Sequence, residues 1–134
     1  MLDIILIQHI TSGLNLVEYS QVDTKFNMEH SDIFSGFMNA IQSISQELDI
    51  GTVVLISTKG SKGHHCIIVP HPPINVVILA DQDDPIELWR GKGEIIAEEF
   101  IKNYGNDFEP SIVSTFKDFK EIIKNTCARQ KYSE

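Results

Sequence analysis

The sequence predicts one α+β domain in which helices pack on a five-stranded antiparallel sheet, in the order β-β-α-β-β-β-α-α. Three observations support this prediction. Five short apolar runs have the length and the turn-forming flanks of strands. The connectors between the last three runs are too short for a crossover helix, which makes those strands antiparallel. Three longer segments repeat their apolar residues every three or four positions, as amphipathic helices do.

The composition is that of one folded, soluble domain covering residues 1–134. Apolar residues make up 42% and charged residues 22%, which is ordinary for a chain that buries a core. The formal net charge of −8 disfavours nucleic acid as a partner. The two cysteines lie far apart and suggest a reducing compartment. No apolar run approaches the roughly 18 residues that cross a bilayer, so we expect a cytoplasmic protein.

The first two strands are predicted as a hairpin over residues 2–10 and 14–20, joined by the turn Thr11-Ser12-Gly13. The first run is apolar on both faces and is therefore predicted to be central in the sheet. The second has Leu14 and Leu16 on one face and Val17 and Tyr19 on the other, which suits a strand nearer the edge.

The first helix is predicted over residues 31–48, with Ser31 as its N-cap. Gly36 lies inside it, and a close approach of the helix to the sheet is one physical reason to place a glycine there. The apolar stripe of this helix is Phe34, Phe37, Met38, Ile41, Ile44 and Leu48.

Three further strands are predicted over residues 52–57, 64–69 and 74–80, the last of them central because it is apolar on both faces. A second helix is predicted to begin at Asp84 and Pro85, with the carboxylate as cap and the proline in the first turn. Gly91 and Gly93 weaken its first half. The final helix is predicted from about Ser111 onward.

This succession of elements resembles the longin domain. At the residue level the resemblance rests on the turn Ser12-Gly13-Leu14, on Ile33-Phe34-Ser35-Gly36-Phe37 in the first helix, and on Phe116-Lys117-Asp118-Phe119 in the last helix. The related roadblock fold normally opens with a helix, whereas this chain opens on a strand. Profilin-like and other mixed sheets stay open as alternatives.

The resemblance implies a non-enzymatic platform for protein partners: a small Ras-like GTPase, a SNARE segment, or another longin or roadblock subunit, in a trafficking-like system. It implies contact surfaces on the strand that follows the first helix and on the flank of that helix. Carried over by position, these surfaces comprise Phe34, Phe37, Ile41, Val53 and Leu55. Such an edge strand also predicts a homodimer. The resemblance implies no cofactor.

The main alternative is a small metal- or ligand-binding domain, or an enzyme, that uses the histidines near the fourth strand. His64, His65 and Cys66 are consecutive, and His71 is close in sequence. On a strand, however, His65 faces away from the other two, and no second pair completes a tetrahedral zinc site. A third possibility is a subunit that folds fully only inside a larger complex.

A strip of lysines marks the last helix: Lys117, Lys120, Lys124 and Lys131 fall on one narrow face, beside the apolar stripe. A basic strip of this kind predicts contact with an anionic membrane or an acidic partner. The alternative is a solvated face, because cations are favoured near any helix C-terminus.

Overall fold

The fold is built on one five-stranded antiparallel sheet, seen in a computed structural model that describes residues 2–20, 28–61 and 63–132. Its strands are β1 (Leu2–His9), β2 (Asn15–Ser20), β3 (Leu55–Ser57), β4 (His64–His71) and β5 (Ile74–Asp81). They lie in the order β2-β1-β5-β4-β3, and each neighbouring pair is antiparallel. The predicted fold class and order of elements are confirmed.

Helices cover both faces of this sheet and give it two cores. They are α1 (Met28–Glu47), α2 (Ile86–Tyr104), a short 3-10 helix (Val113–Phe116) and α3 (Phe119–Tyr132). Met38 of α1 packs in one core with Ile4 and Leu6 of β1. On the opposite face Ile5 and Ile7 of β1 join the core beneath α2 and α3. Because successive strand residues point to opposite faces, β1 is apolar throughout, as predicted for a central strand.

The N-terminal hairpin contains a β-bulge that changes which face its residues occupy. Ile7 pairs with Val17 and Gln8 with Asn15, so Leu16 is an extra residue on β2. As a result Leu16 and Val17 are both buried in the core beneath α2 and α3. The predicted strict alternation of Leu16 and Val17 is therefore wrong, although β2 does lie at the sheet edge.

β3 is shorter than predicted, beginning at Leu55 instead of residue 52. Two local features end the hydrogen bonding between β3 and β4. The backbone of Val53 is bound by the side chain of Gln42, whose Oε1 accepts from its N–H at 3.1 Å and whose Nε2 donates to its C=O at 2.9 Å. Farther along β4, Pro70 has no N–H to offer a longer β3. The last backbone hydrogen bond between these two segments is donated by Ile68 N–H to Val54 C=O, at 3.0 Å.

The glycine that permits close helix packing is Gly93 and not Gly36. Gly36 is exposed, and a Cβ built there would meet nothing within 4 Å. A Cβ at Gly93 would lie 2.8 Å from Val69 Cγ2 and 3.0 Å from Ile78 Cδ1. The glycine therefore brings α2 against β4 and β5, and α2 runs through both of its glycines without interruption.

The predicted starts of the first two helices need correction. α1 begins at Met28, so Ser31 lies within the helix and is not its N-cap. α2 begins at Ile86 with Pro85 at the N-cap position, and Asp84 Oδ2 instead accepts from the N–H of Asp81 at 3.3 Å.

The last predicted helix is two elements, the 3-10 helix and α3, joined through turns with hydrogen bonds between residues three apart. The β-branched residues at 112, 113 and 115 disfavour a regular α-helix there.

Candidate partner-binding surface

Exposed apolar side chains concentrate at the end of α1 and along β3. Nine large apolar residues are exposed among the described side chains, and five of them lie between positions 44 and 55. We call these five the β3–α1 surface: Ile44, Leu48, Ile50, Val54 and Leu55. Leu48 and Ile50 are the most open, with 62% and 73% of their surface exposed. Apolar exposure of this kind, gathered near one edge, is typical of an interaction site.

The geometry of α1 explains why part of its apolar stripe is exposed. Met38 and Ser45 are buried and mark the side of the helix that rests on the sheet. Ile44 and Leu48 are four residues apart and therefore stack on one flank, rotated away from that side. Burying one narrow stripe leaves that flank open, with 57% of Ile44 exposed.

β3 also provides a free strand edge. Leu55 lies on the face of its cross-strand partner Ile67, which α2 and α3 cover, whereas Ile44 and Leu48 belong to α1, which covers the other face. β3 is last in the sheet order and hydrogen-bonds only to β4 within the described part of the chain. Its residues are Leu55, Ile56 and Ser57, paired with Ile67, Cys66 and His65. An unpaired strand edge offers backbone N–H and C=O groups to another chain.

The residues predicted from the resemblance are placed differently by the structure. Leu55 is exposed, but Ile41 and Val53 are half-buried, and Val53 packs against the core under α1. The side chains of Phe34 and Phe37 lie outside the described residues. Sequence reasoning missed Ile50 and Val54, and it placed Ile44 and Leu48 in the apolar stripe of α1 without assigning them to the contact surface. No local signal identifies these exposed residues, because helical spacing shows which residues share a side of the helix and not how much of that side the sheet covers.

Gln42 fixes the start of β3 relative to α1 through its two hydrogen bonds to Val53. We expect Gln42→Ala to lower the free energy of unfolding by about 1–2 kcal/mol, because both bonds are lost and the half-buried backbone groups keep no partner. Urea denaturation measures this loss, and amide exchange at Val53 should accelerate. Gln46→Ala, at an exposed position on the same helix, is the control and should change stability by less than about 0.5 kcal/mol. Equal losses in both variants would contradict the assigned role.

The predicted lysine strip is exposed but is not one helical face. Lys117, Lys120 and Lys124 are all exposed, and none forms an ion pair within the described residues. Lys117 precedes α3, which begins at Phe119, so only Lys120 and Lys124 share a helical row. The side chain of Lys131 lies outside the described residues. Lys117 and Lys120 border a cavity of about 330 Å³ between the 3-10 helix, α3 and β2.

The histidines near β4 do not converge. Both ring nitrogens of His65 are engaged, Nδ1 with Ser57 Oγ at 2.7 Å and Nε2 with Gln82 O at 3.0 Å. Cys66 lies on the opposite face, where its Sγ is 4.0 Å from Met38 Sδ and burial raises the pKa of the thiol to about 12. His71 is at the far end of the strand. Across the described ranges, no group of three or more His, Cys, Asp or Glu side chains could hold a metal ion.

The helices and the sequence comparisons give no further indication of function. Of the helices in the described residues, none combines the length and apolar character needed to span a membrane. No protein-family model matches the sequence, and no curated protein matches it.

Solved structures do share the fold. A Roadblock/LC7 domain from Streptomyces avermitilis superposes with a TM-score of 0.58 and 8% identity, covering 76% of this chain and 83% of that one. The protein MglB of Myxococcus xanthus superposes with a TM-score of 0.55 and 12% identity, covering 76% and 82%. The fold is of the longin/roadblock type. The longin/roadblock prediction is thereby confirmed, with a roadblock domain among the neighbours although this chain opens on a strand. At these identities the likeness concerns the fold and not the partners.

Proposed function

We propose that this longin/roadblock-type domain is a non-enzymatic interaction module that acts with a small Ras-like GTPase or with another longin or roadblock subunit. The observation that supports the proposal is the β3–α1 surface, where exposed apolar side chains adjoin a free strand edge. Backbone groups on such an edge give affinity to a partner strand, and apolar side chains beside it give specificity.

The same surface suits self-association as well as association with a related subunit. Two copies meeting edge to edge at β3 would continue the sheet and bring both α1 flanks to one interface, in the self-complementary way of a two-fold dimer. The apolar side chains of both copies would then be removed from water. Burial of apolar surface is the main favourable contribution to such contacts.

The first test is charge insertion on the flank of α1. We expect Ile44→Glu combined with Leu48→Glu to weaken self-association at least about tenfold, because the carboxylates would lose water at the contact without gaining a partner. Sedimentation velocity across a concentration series measures this. Both side chains are exposed, so the fold should tolerate the change.

The matched control is Ile112→Glu, at an exposed apolar position before the 3-10 helix with 54% of its surface open. It adds the same charge away from the β3–α1 surface and should leave association unchanged. A wild-type protein that is monomeric at all concentrations would remove the homodimer from the proposal. The GTPase would then be sought by pull-down, with the double variant as the negative bait.

A second contact is proposed for Lys117, Lys120 and Lys124, with an anionic membrane. The supporting observation is that all three are exposed and none is neutralised by an ion pair in the part of the chain that the structure describes. Lysines near an anionic surface contribute about 1 kcal/mol each, which makes this a weak, peripheral contact.

Replacing the three lysines with glutamate should abolish binding to vesicles that contain phosphatidylserine, while neutral vesicles bind neither protein. Flotation at low and high salt measures the effect, since surface attraction is screened by salt. Lys102→Glu on α2 is the control for a single exposed lysine elsewhere. Vesicle binding that is unchanged by the triple reversal would exclude the membrane contact.

The histidine alternative has less support. Both nitrogens of His65 are held by protein groups, and Cys66 faces the opposite core. A strand presents these neighbours to different sides of the sheet, so they share no site.

A further inference from the structure

The outer edge of β3 presents a defined set of backbone groups. Val54 C=O accepts a hydrogen bond from β4 at 3.0 Å, and Thr58 N–H donates one to β4 at 2.9 Å. In an antiparallel pair the backbone groups of alternate residues point to the same side. The groups of Leu55 and Ser57, which lie between the residues bonded to β4, therefore point outward.

This pattern determines how two copies would meet edge to edge at β3. In an antiparallel pair about a two-fold axis, two residues that face each other with inward-pointing groups exchange both of their backbone hydrogen bonds. With the axis at Ile56, Leu55 of one copy lies opposite Ser57 of the other copy. Every outward backbone group of β3 then has a partner.

Slipped registers require groups that β3 does not offer. With the axis at Leu55, Ser57 would lie opposite Val53, whose N–H and C=O are already bound by the side chain of Gln42. With the axis at Ser57, Leu55 would have to pair with Lys59, which lies beyond the end of β3. The register centred on Ile56 is therefore favoured.

A groove of about 330 Å³ opens beside the same edge, where β4 continues past the residues that pair with β3. One wall includes Val54 and Pro70, and the other consists of Arg90, Glu94 and Glu98 on α2. Except for Arg90, which is half-buried, these residues are exposed, so a partner can reach both walls.

The α2 wall of this groove carries a net negative charge. Arg90 forms an ion pair with Glu87 of the same helix. Glu94 and Glu98 form no ion pair across residues 2–20, 28–61 and 63–132. They are four residues apart and therefore lie on one side of α2. A cation brought by a partner would be stabilised between them.

A second copy supplies such a cation in the register centred on Ile56. Lys59 lies two residues beyond Ser57, so it would stand opposite position 53 of the other copy, next to Val54 in the wall of the groove. Leu55 and Ser57 lie on the face of the sheet that α2 covers, and Lys59 continues the same alternation. Its side chain is exposed and has no ion pair in the structure described for this copy.

We propose that this domain forms a two-fold homodimer in which β3 pairs with β3 about Ile56, and Lys59 of each copy binds Glu94 and Glu98 in the groove of the other. The proposal rests on the self-association proposed above and adds to it a register and a second contact. That contact lies on the face of the sheet opposite the α1 flank. Because of the symmetry it occurs twice in each dimer, so one substitution alters it twice.

Charge reversal with rescue tests the groove contact, measured by sedimentation velocity across a concentration series. We expect Lys59→Glu to weaken self-association at least about tenfold, because it sets a carboxylate against Glu94 and Glu98 in both copies. Adding Glu94→Lys and Glu98→Lys to the same chain should restore association to within about threefold of wild type. Lys124→Glu is the control, on the helix that contacts β2 at the opposite edge of the sheet, and should leave association unchanged.

Cysteine cross-linking tests the register. Cys66 and Cys127 are first replaced with alanine, since Cys66 is the strand partner of Ile56 and would compete for it. Ile56→Cys should then form a disulfide between the two copies, because the Cα atoms of such a pair lie about 4.5 Å apart. Leu55→Cys and Ser57→Cys should not, because each would be diagonal to its own counterpart, at about 7–8 Å.

The outcomes distinguish the groove contact from self-association itself. A wild-type protein that is monomeric at all concentrations would remove both. A dimer that is weakened by Ile44→Glu with Leu48→Glu but not by Lys59→Glu would keep the homodimer and overturn the groove contact. Cross-linking at one of the neighbouring cysteine positions instead of Ile56→Cys would overturn the register. The charge variants are all at exposed positions, so they decide the groove contact even if Ile56→Cys fails to fold.

Discussion

Phe100→Ala is expected to lower the free energy of unfolding by about 4 kcal/mol, the largest effect of any single truncation proposed for this domain. Phe100 is fully buried, and its ring centroid lies 4.8 Å from that of Tyr104, 5.3 Å from that of Phe116 and 5.2 Å from that of Phe119. Removing it leaves a cavity among rings that cannot collapse. It also removes the ring contacts themselves, of which the one with Phe119 is edge-to-face and those with Tyr104 and Phe116 are tilted.

The structural consequence should be concentrated at the C-terminal elements. Phe116 ends the 3-10 helix and Phe119 begins α3, and both are fully buried against Phe100 of α2. A second tie joins the same helices: Lys92 Nζ donates to Cys127 O at 3.2 Å and lies 4.2 Å from the centre of the Trp89 ring. In Phe100→Ala only the Lys92 contact would still join α2 to α3. Amide protection in α3 should therefore fall further than in β1 or β5.

Urea denaturation and hydrogen exchange together measure this prediction. Ile95→Ala is the control on the same helix, since 39% of Ile95 is exposed, and it should cost less than about 1 kcal/mol. A Phe100→Ala protein as stable as the control would show that the aromatic cluster repacks around the gap. Uniform loss of protection across all elements would show that α3 does not open separately.

The sheet could be predicted because its determinants are local in sequence. β1 and β5 are continuous apolar runs, and only a strand covered on both faces requires that composition. Two short connectors then force the last three strands to be antiparallel. The bulge at Leu16 could not be predicted, because it depends on the pairing of β2 with β1 and not on the composition of β2.

The candidate surface was predicted less well, for a geometric reason. Apolar spacing in α1 shows which residues share a side of the helix, but not how much of that side the sheet covers. Ile44 and Leu48 belong to the apolar stripe and are nevertheless exposed, whereas Val53, assigned to the surface by position, is half-buried. The length of β3 likewise depends on Gln42, which is eleven residues away from Val53 and carries no strand signal.

Two glycines show the same limit of prediction from sequence. Gly36 and Gly93 both lie inside predicted helices, and sequence offers close packing as a reason for either. Only the structure shows that α1 leaves Gly36 in open space while α2 rests on the sheet at Gly93. Contact between a helix and a sheet is a property of two distant segments, so no local pattern distinguishes these two positions.

Gly93→Val should therefore destabilise the domain by about 3 kcal/mol, through overpacking of α2 on β4 and β5. The added Cβ would stand 2.8 Å from Val69 Cγ2, and Val69 cannot move away easily because it is β-branched and buried. Gly91→Val is a matched control in the same helix, since a Cβ at Gly91 meets nothing within 4 Å. It exchanges one weak helix former for another and should change the free energy of unfolding by less than about 0.5 kcal/mol.

Denaturation of the two variants side by side measures the difference between their free energies of unfolding. Because the change in helix propensity is the same in both, that difference isolates the contact with the sheet. Equal stabilities would mean that α2 does not rest on β4 and β5 at Gly93.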